Sequence, residues 1–281
     1  MKEIFIDTLF DSLKLLPFLF VVFLIIELIE HKLSNASRKK IEKAGKAGPF
    51  FGSIIGAFPQ CGFCVAATNL YATRIISLGT LISVYLSTSD EMLPIMLSRG
   101  TDALVIFKII IIKIIIGFIA GFVIDFVLRR KKTINIGNFC EENHCKCEEG
   151  IIKACIKHTF NILLFITIVS FILHVVLHYF GEENIKSLLL TNSIFSPFIT
   201  SLIGLIPNCG ASVIITELYL NNVISFASTI SGLLTGCGVG LLVLFKSNKN
   251  LKENINILLM LYFIGSFSGL IIEGICALFH L

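Results

Sequence analysis

The sequence predicts an all-α polytopic membrane protein. It is expected to hold two inverted repeats, each with three transmembrane helices and a re-entrant Pro-Cys helical hairpin. Three observations lead there: long apolar blocks, an internal duplication, and the placement of lysine and arginine. The 281 residues are 55% hydrophobic and only 15% charged, with a mean hydropathy of +0.90. A soluble domain carries about 45–50% apolar and about 25% charged residues. Here the apolar residues run in blocks close to the roughly 20 that cross hydrocarbon.

The duplication appears when the chain is shifted by 148 positions. Residues 48–97 then align with 196–245 without a gap, and 18 of the 50 pairs are identical. The matches include Pro59/Pro207, Cys61/Cys209, Gly62/Gly210, Thr68/Thr216, Tyr71/Tyr219 and Ser83/Ser231. Apolar bias alone does not generate matched Pro, Cys, Gly, Thr and Tyr. The same offset sets "GFIAGFVID" (117–125) against "GSFSGLIIE" (265–273).

The elements follow in order. The first repeat, 1–130, has spans expected at about 5–30, 76–97 and 103–128, with the Pro-Cys segment at 48–71. Asp7, Asp11 and Lys14 interrupt the first block and no small-residue cleavage site follows it, so it reads as a retained helix. A polar linker, 131–152, leads to the second repeat, 153–281. That repeat has spans at about 156–179, 225–245 and 255–279, with its Pro-Cys segment at 196–219.

Charge sets the topology. The loop 31–47 and the stretch 129–157 are both rich in Lys and Arg, so both are expected in the cytoplasm. This requires 48–71 to enter and leave on one side. About 17 loop Lys and Arg then lie inside, against Lys2, Arg99 and Lys186 outside. Three true spans per repeat force opposite orientations, a transporter architecture with discontinuous helices near the midplane. Both termini are expected outside a cell membrane. Four full spans per half, in parallel, is the alternative.

The Pro-Cys segments "GAFPQCGFC" (56–64) and "GLIPNCGAS" (204–212) are the first candidate site. Non-helical backbone is tolerated in a bilayer only against protein or a water-filled cavity. Pro59 and Pro207 break the helix; Gly62 and Gly210 permit the turn. The tips then offer Gln60, Cys61 and Cys64 from one repeat, and Asn208 and Cys209 from the other. Cys237, in "LLTGCGVGLL", joins this substrate-binding set. Thiolates favour soft ions such as zinc, copper(I) and trivalent arsenic.

A second candidate set is "STSDE" (87–91): Ser87, Thr88, Ser89, Asp90 and Glu91. Carboxylates in a membrane helix cost at least about 2.5 kcal/mol each and are functional candidates by default. They are expected to bind a cation or carry a coupling proton. Lys113, mid-span, is a partner for them or a cavity-facing lysine. Glu217 is a gate group or an interfacial one. In the linker, Cys140, His144, Cys145 and Cys147 carry donors for a soft metal ion, though the spacing fits no standard zinc finger. A disordered polar linker is the plain alternative.

"GAFPQCGF", "YATRIISLGTLISVYLSTSDEMLPI" and "GLIPNCGASVIITELYL" resemble the ten-helix heavy-metal exporter family, over nearly the whole chain. Its members are labelled arsenic efflux proteins or manganese transporters. The resemblance implies membership and transport, and no assigned ligand residues.

The leading expectation is a secondary efflux permease for a thiophilic heavy metal or metalloid such as trivalent arsenic, coupled to protons or ions. A manganese or other divalent-cation transporter is an alternative. So is a membrane thiol–disulfide reductant carrier, for which Cys61 and Cys64 have redox-pair spacing. A metal sensor that moves nothing is a further one. No Gly-x-x-x-x-Gly-Lys-Ser/Thr motif is present, which excludes ATP hydrolysis by that route. No enzyme activity or cofactor is expected. The partners expected are the metal ion and the bilayer; a net charge of +4 calls for no nucleic acid, and a homodimer is left open.

Overall fold

The computed structural model describes residues 47–59, 62–89, 91–128, 159–168 and 195–279, with 13, 16, 17, 20, 21, 24, 156, 171, 172 and 175. Among the described residues every regular element is a helix, and the chain is a polytopic membrane protein. Three stretches are long and apolar enough to cross a bilayer: Ala103–Val127, Phe226–Ser247 and Leu251–Leu278. The first expected span, at about 5–30, and the linker lie largely or wholly outside the described residues.

The first Pro-Cys segment folds as two helices, α1 (Gly48–Gly56) and α2 (Gly62–Ala72), either side of a break at Ala57–Pro59. Pro49 opens α1, where its fixed φ suits the first turn. Helices α3 (Leu78–Ser87), α4 (Met92–Ser98) and α5 (Ala103–Val127) follow. The Ser77 side chain caps α3, accepting from Thr80 N at 3.2 Å, and Asp102 caps α5, accepting from Leu104 N at 3.1 Å. An apolar helix, α6, covers Thr159–Ile168.

The second half repeats this order. Helices α7 (Ser196–Gly204) and α8 (Cys209–Leu220) flank a break at Leu205–Asn208. Then come α9 (Phe226–Thr235), α10 (Gly240–Ser247) and α11 (Leu251–Phe279). Ser225 caps α9 as Ser77 caps α3.

One expectation needs correction. The segments 76–97 and 225–245 are not single unbroken helices; each is interrupted in its middle. In the first, Ser87 and Thr88 turn their hydroxyls back onto the carbonyls of Ser83 (2.8 Å) and Val84 (2.7 Å), and α3 stops. Asp90 lies outside the described residues, and Glu91 is the residue before α4. In the second, Gly236 follows the last turn of α9, and Gly238 takes φ +51°, a left-handed conformation that suits glycine.

Packing follows the duplication. Helices α1, α3 and α5 form one three-helix group, and α7, α9 and α11 form its counterpart. Ser83 donates to Gly117 O at 2.9 Å; Ser231, its match at the same offset, donates to Gly265 O at 3.0 Å. Ser77 donates to Asp125 at 2.5 Å, and Ser225 to Glu273 at 2.9 Å. A Cβ on Gly79 would stand 2.1 Å from Gly121 O, so the bare backbones of α3 and α5 touch. Such small-residue contacts are how helices associate where lipid offers no hydrophobic drive.

The second members of each broken pair cross over. Helix α2 packs on α10, and α8 packs on α4, while α3 and α9 meet in the centre. Of the three apolar stretches, that of α9 and α10 is 89% buried, against 22% for α5 and 28% for α11. The long helices are therefore peripheral. On α5 the exposed Leu104, Phe107, Ile111, Ile115, Ile119, Phe122 and Phe126 recur every three or four residues, one apolar stripe for lipid.

Candidate functional site

The crossing of α2 and α10 is tight because Gly240 has no side chain. A Cβ there would stand 2.9 Å from Cys64 Cβ and 3.2 Å from Tyr85 Cε1. The gap that glycine leaves draws three helices onto one buried polar knot. Thr68 donates to Cys64 O at 2.6 Å, its ordinary bond one turn back along α2. Tyr85 OH of α3 donates to that hydroxyl at 2.5 Å and lies 3.2 Å from Gly240 O of α10. Cys64 Sγ and Thr88 Oγ1, at the end of α3, are 2.7 Å apart. Cys64, Thr68, Tyr85 and Cys237 are all 0% exposed. Cys64, Tyr85 and Cys237 belong to one buried core cluster, and Cys237 Sγ lies 3.5 Å from Thr235 O. The sulfurs come from opposite halves: Cys64 from the first, Cys237 from the break between α9 and α10.

Lys113 of α5 is 1% exposed, and its ammonium donates to the Thr88 carbonyl. That carbonyl sits at the C-terminal end of α3, which carries partial negative charge and unsatisfied acceptors. The lysine thus ties α5 to the break that holds Ser89 and Glu91. Ser89 is buried and donates to Ser87 O at 3.2 Å. Among the described residues no three His, Cys, Asp or Glu side chains converge as a metal cage. The centre instead mixes thiols with hydroxyls and backbone carbonyls.

At the second Pro-Cys tip Pro207 and Cys209 are partly exposed, and Asn208 is buried. The Asn208 side chain caps α8, accepting from Gly210 N at 3.2 Å. At the first tip Pro59 is exposed and Gly62 buried, while Gln60 and Cys61 lie outside the described residues. So do Cys140, His144, Cys145 and Cys147. Cys64 and Cys237 are accordingly the candidate thiols that share one buried core cluster.

Each end of the molecule has its own fastening. At one, Glu253 near the start of α11 accepts two bonds from Arg74, at 2.7 and 2.8 Å, one from Tyr71, and one from Asn248 at 3.4 Å. Hydrogen bonding to that carboxylate raises the Arg74 pKa above its usual value and keeps the cation charged. Asn248 and Asn254 exchange two further bonds of 2.8 Å. Ser247 donates to Asn69 Oδ1 at 3.1 Å. At the other end Arg99 after α4 forks onto Glu217 of α8, with N–O distances of 2.9–3.3 Å. The 148-residue offset maps Asn69 onto Glu217 and Arg99 onto Ser247, so these are the same contact made twice.

Sequence reasoning singled out Cys64, Thr88, Lys113 and Glu217, which take part in these contacts, and Cys237, buried in the same core cluster. It gave no role to Tyr85, Asn69, Arg99, Ser247 or Glu253. Thr68 and Tyr71 were visible only as repeat matches. For Tyr85 the available signal was a lone phenol in an apolar run between serines.

The profile of a family described as "Putative, 10TM heavy-metal exporter" matches residues 1–180 and 147–277. No curated protein and no solved structure matches the chain.

Proposed function

From the premise that this chain belongs to that family of ten-helix heavy-metal exporters, we propose that it is a secondary efflux permease for a thiophilic heavy metal or metalloid. Trivalent arsenic is the model cargo, with export driven by proton or ion exchange. The observation that carries the reading is the burial of Cys64 and Cys237, one thiol from each half, in one core cluster beside two broken helices: Cys64 against Thr88 before the first break, Cys237 within the second. Broken helices free backbone carbonyls at the depth where cargo must bind. Sulfur selects soft cargo.

In this reading the repeats are inverted and the Pro-Cys segments are re-entrant. Two facts support it. Helix α5 begins beside Arg99 and ends with Asp125 on Ser77, next to the Arg74–Glu253 cluster. Helix α11 begins at that cluster and ends with Glu273 on Ser225, beside the loop that closes α8. The two run oppositely between the same two faces. Reading the Lys-rich loops as cytoplasmic, Glu253 fastens the inner face, and Arg99 with Glu217 the outer.

Transport then alternates the two fastenings. Asp90 and Glu91, which follow Ser89 in the sequence, carry the coupling proton or ion, and Lys113 positions the break after α3 through the Thr88 carbonyl. Gln60, Cys61, Asn208 and Cys209 line the route between the centre and the faces. The linker thiols and His144 capture cargo on the cytoplasmic side. The hydroxyls of Thr68, Tyr85 and Thr88 and the Gly240 carbonyl favour a second reading, a harder divalent cation such as manganese.

Flux into proteoliposomes separates them. Arsenite, zinc and manganese are compared for the natural chain, Cys64→Ala, Cys237→Ala and Asp90→Asn. The thiophilic reading expects arsenite flux to fall at least about tenfold without either thiol, a loss near one charge-assisted contact. Manganese flux that ignores both thiols but needs Asp90 transfers the assignment to the divalent cation. Equal flux of every cargo from all four chains sinks the site.

A further inference from the structure

Among the described residues three buried side-chain atoms lack a hydrogen-bond partner: Thr159 Oγ1, Ser266 Oγ and Asn208 Nδ2. The first two are hydroxyls on α6 and α11. The third is different. Asn208 is 4% exposed, and its carboxamide cannot turn, because Oδ1 already accepts from Gly210 N at 3.2 Å. Exchanging the two amide atoms would set a donor against a donor. The NH2 group is therefore held in place, buried and without a protein acceptor, at the tip of the second Pro-Cys motif. Buried donors in folded proteins almost always have partners, and one without asks what it receives.

Its surroundings indicate the class of ligand. The carboxamide lies over the N-terminus of α8, a helix of 12 residues whose first turn carries partial positive charge. Pro207 on one side has no N–H, and the partly exposed Cys209 on the other adds a thiol. A bare cation is repelled by the helix end. An aquated cation presents hydrogens outward, which Nδ2 has no lone pair to accept. An oxygen-bearing species presents lone pairs, and an amide N–H2 donates to them.

We propose that Asn208 Nδ2 is a donor subsite for a hydroxylated or oxyanionic cargo and selects against metal cations. The subsite deepens the transport reading, on which it rests for the route that brings cargo to the tip of α8. Its role is recognition by hydrogen bonding alone; no bond to arsenic is made or broken there. The matched residue in the other repeat, Gln60, is an amide too, so the two tips share one type of chemistry.

The test uses the full chain in lipid nanodiscs, dialysed to equilibrium against arsenite, which is an uncharged trihydroxide at neutral pH, or against manganese. Retained arsenic and manganese are counted by mass spectrometry. Asn208→Asp keeps an oxygen to cap α8 and replaces only the NH2 with a second oxygen. Asn208→Ser also caps α8 and removes Nδ2. Arsenite retention is expected to fall about tenfold in both, and manganese retention to rise in the Asp variant alone. Natural retention of arsenite by either variant overturns the subsite, as does an unmutated chain that retains none. Flux is recorded in parallel. Retention that depends on Asn208 in a chain that moves no cargo upholds the subsite and overturns transport.

Discussion

The two ends of the molecule are built on one contact and finished differently. Where α2 meets α10, the bond between Asn69 and Ser247 is part of a larger cluster that gathers Tyr71, Arg74, Asn248, Asn254 and a Glu253 whose side chain is 9% exposed. Where α8 meets α4, the equivalent positions hold Glu217 and Arg99, a single ion pair with side chains 30% and 61% exposed. Exposed pairs contribute about 0–1 kcal/mol and weaken with salt. A buried carboxylate that accepts several bonds contributes more, because its loss leaves several donors unmet. The difference teaches that equivalent positions set where the halves fasten, while the residues that occupy them set how strongly. In the proposed topology the inner fastening is the strong one and the outer the one that yields first.

The comparison breaks most easily at Glu253. Glu253→Ala removes the acceptor of Arg74, Tyr71 and Asn248 together, and is expected to destabilise the protein by about 2–4 kcal/mol. A thermal melt in detergent checks it; an unfolding midpoint equal to that of the natural chain contradicts the ranking of the two ends. Next comes Gly240→Ala, whose Cβ meets Cys64 Cβ at 2.9 Å. Overpacking of this kind costs about 1–3 kcal/mol. The matched residue is the buried Met92, where Met92→Leu conserves volume and is expected to cost under about 1.5 kcal/mol. Comparing the two melts tells whether the crossings differ in tightness as the glycine implies.

The smallest effect belongs to Arg99 and Glu217. Either Arg99→Ala or Glu217→Gln is expected to shift stability by less than about 1 kcal/mol. The swapped pair Arg99→Glu with Glu217→Arg is expected to recover the natural value at low salt. A loss as large as that from Glu253→Ala erases the asymmetry.

Much of this architecture was legible. The apolar blocks announced α5 and α11, because a helix facing lipid needs nothing but length and greasiness. The offset announced which residues have counterparts, and Ser83 with Ser231 make the same bond in both halves. The breaks after α3 and α9 were hidden for a physical reason. Serine and threonine are tolerated within membrane helices, and whether Thr88 ends a helix depends on what meets its carbonyl. Here that is Lys113, 25 residues away. The fastenings were hidden more deeply. Asn69 and Ser247 are 178 residues apart, and only the crossing of α2 onto the other half brings them together. In the candidate site, Cys64 and Cys237 stood out by chemistry, while Tyr85 and Thr68 gained meaning only from Gly240, whose missing side chain lets three helices close on them.

The central claim is that each face closes by docking one half's Pro-Cys arm onto the other half's broken helix, and that cargo passes only when these contacts open in turn. Paired cysteines test it: Asn69→Cys with Ser247→Cys at one face, and Arg99→Cys with Glu217→Cys at the other. Each pair is oxidised in proteoliposomes, with the natural chain under the same oxidant as control, and arsenite flux is followed before and after reductant. The account predicts that either cross-link alone stops flux and that reductant restores it. Natural flux through a chain fully cross-linked at either face contradicts it.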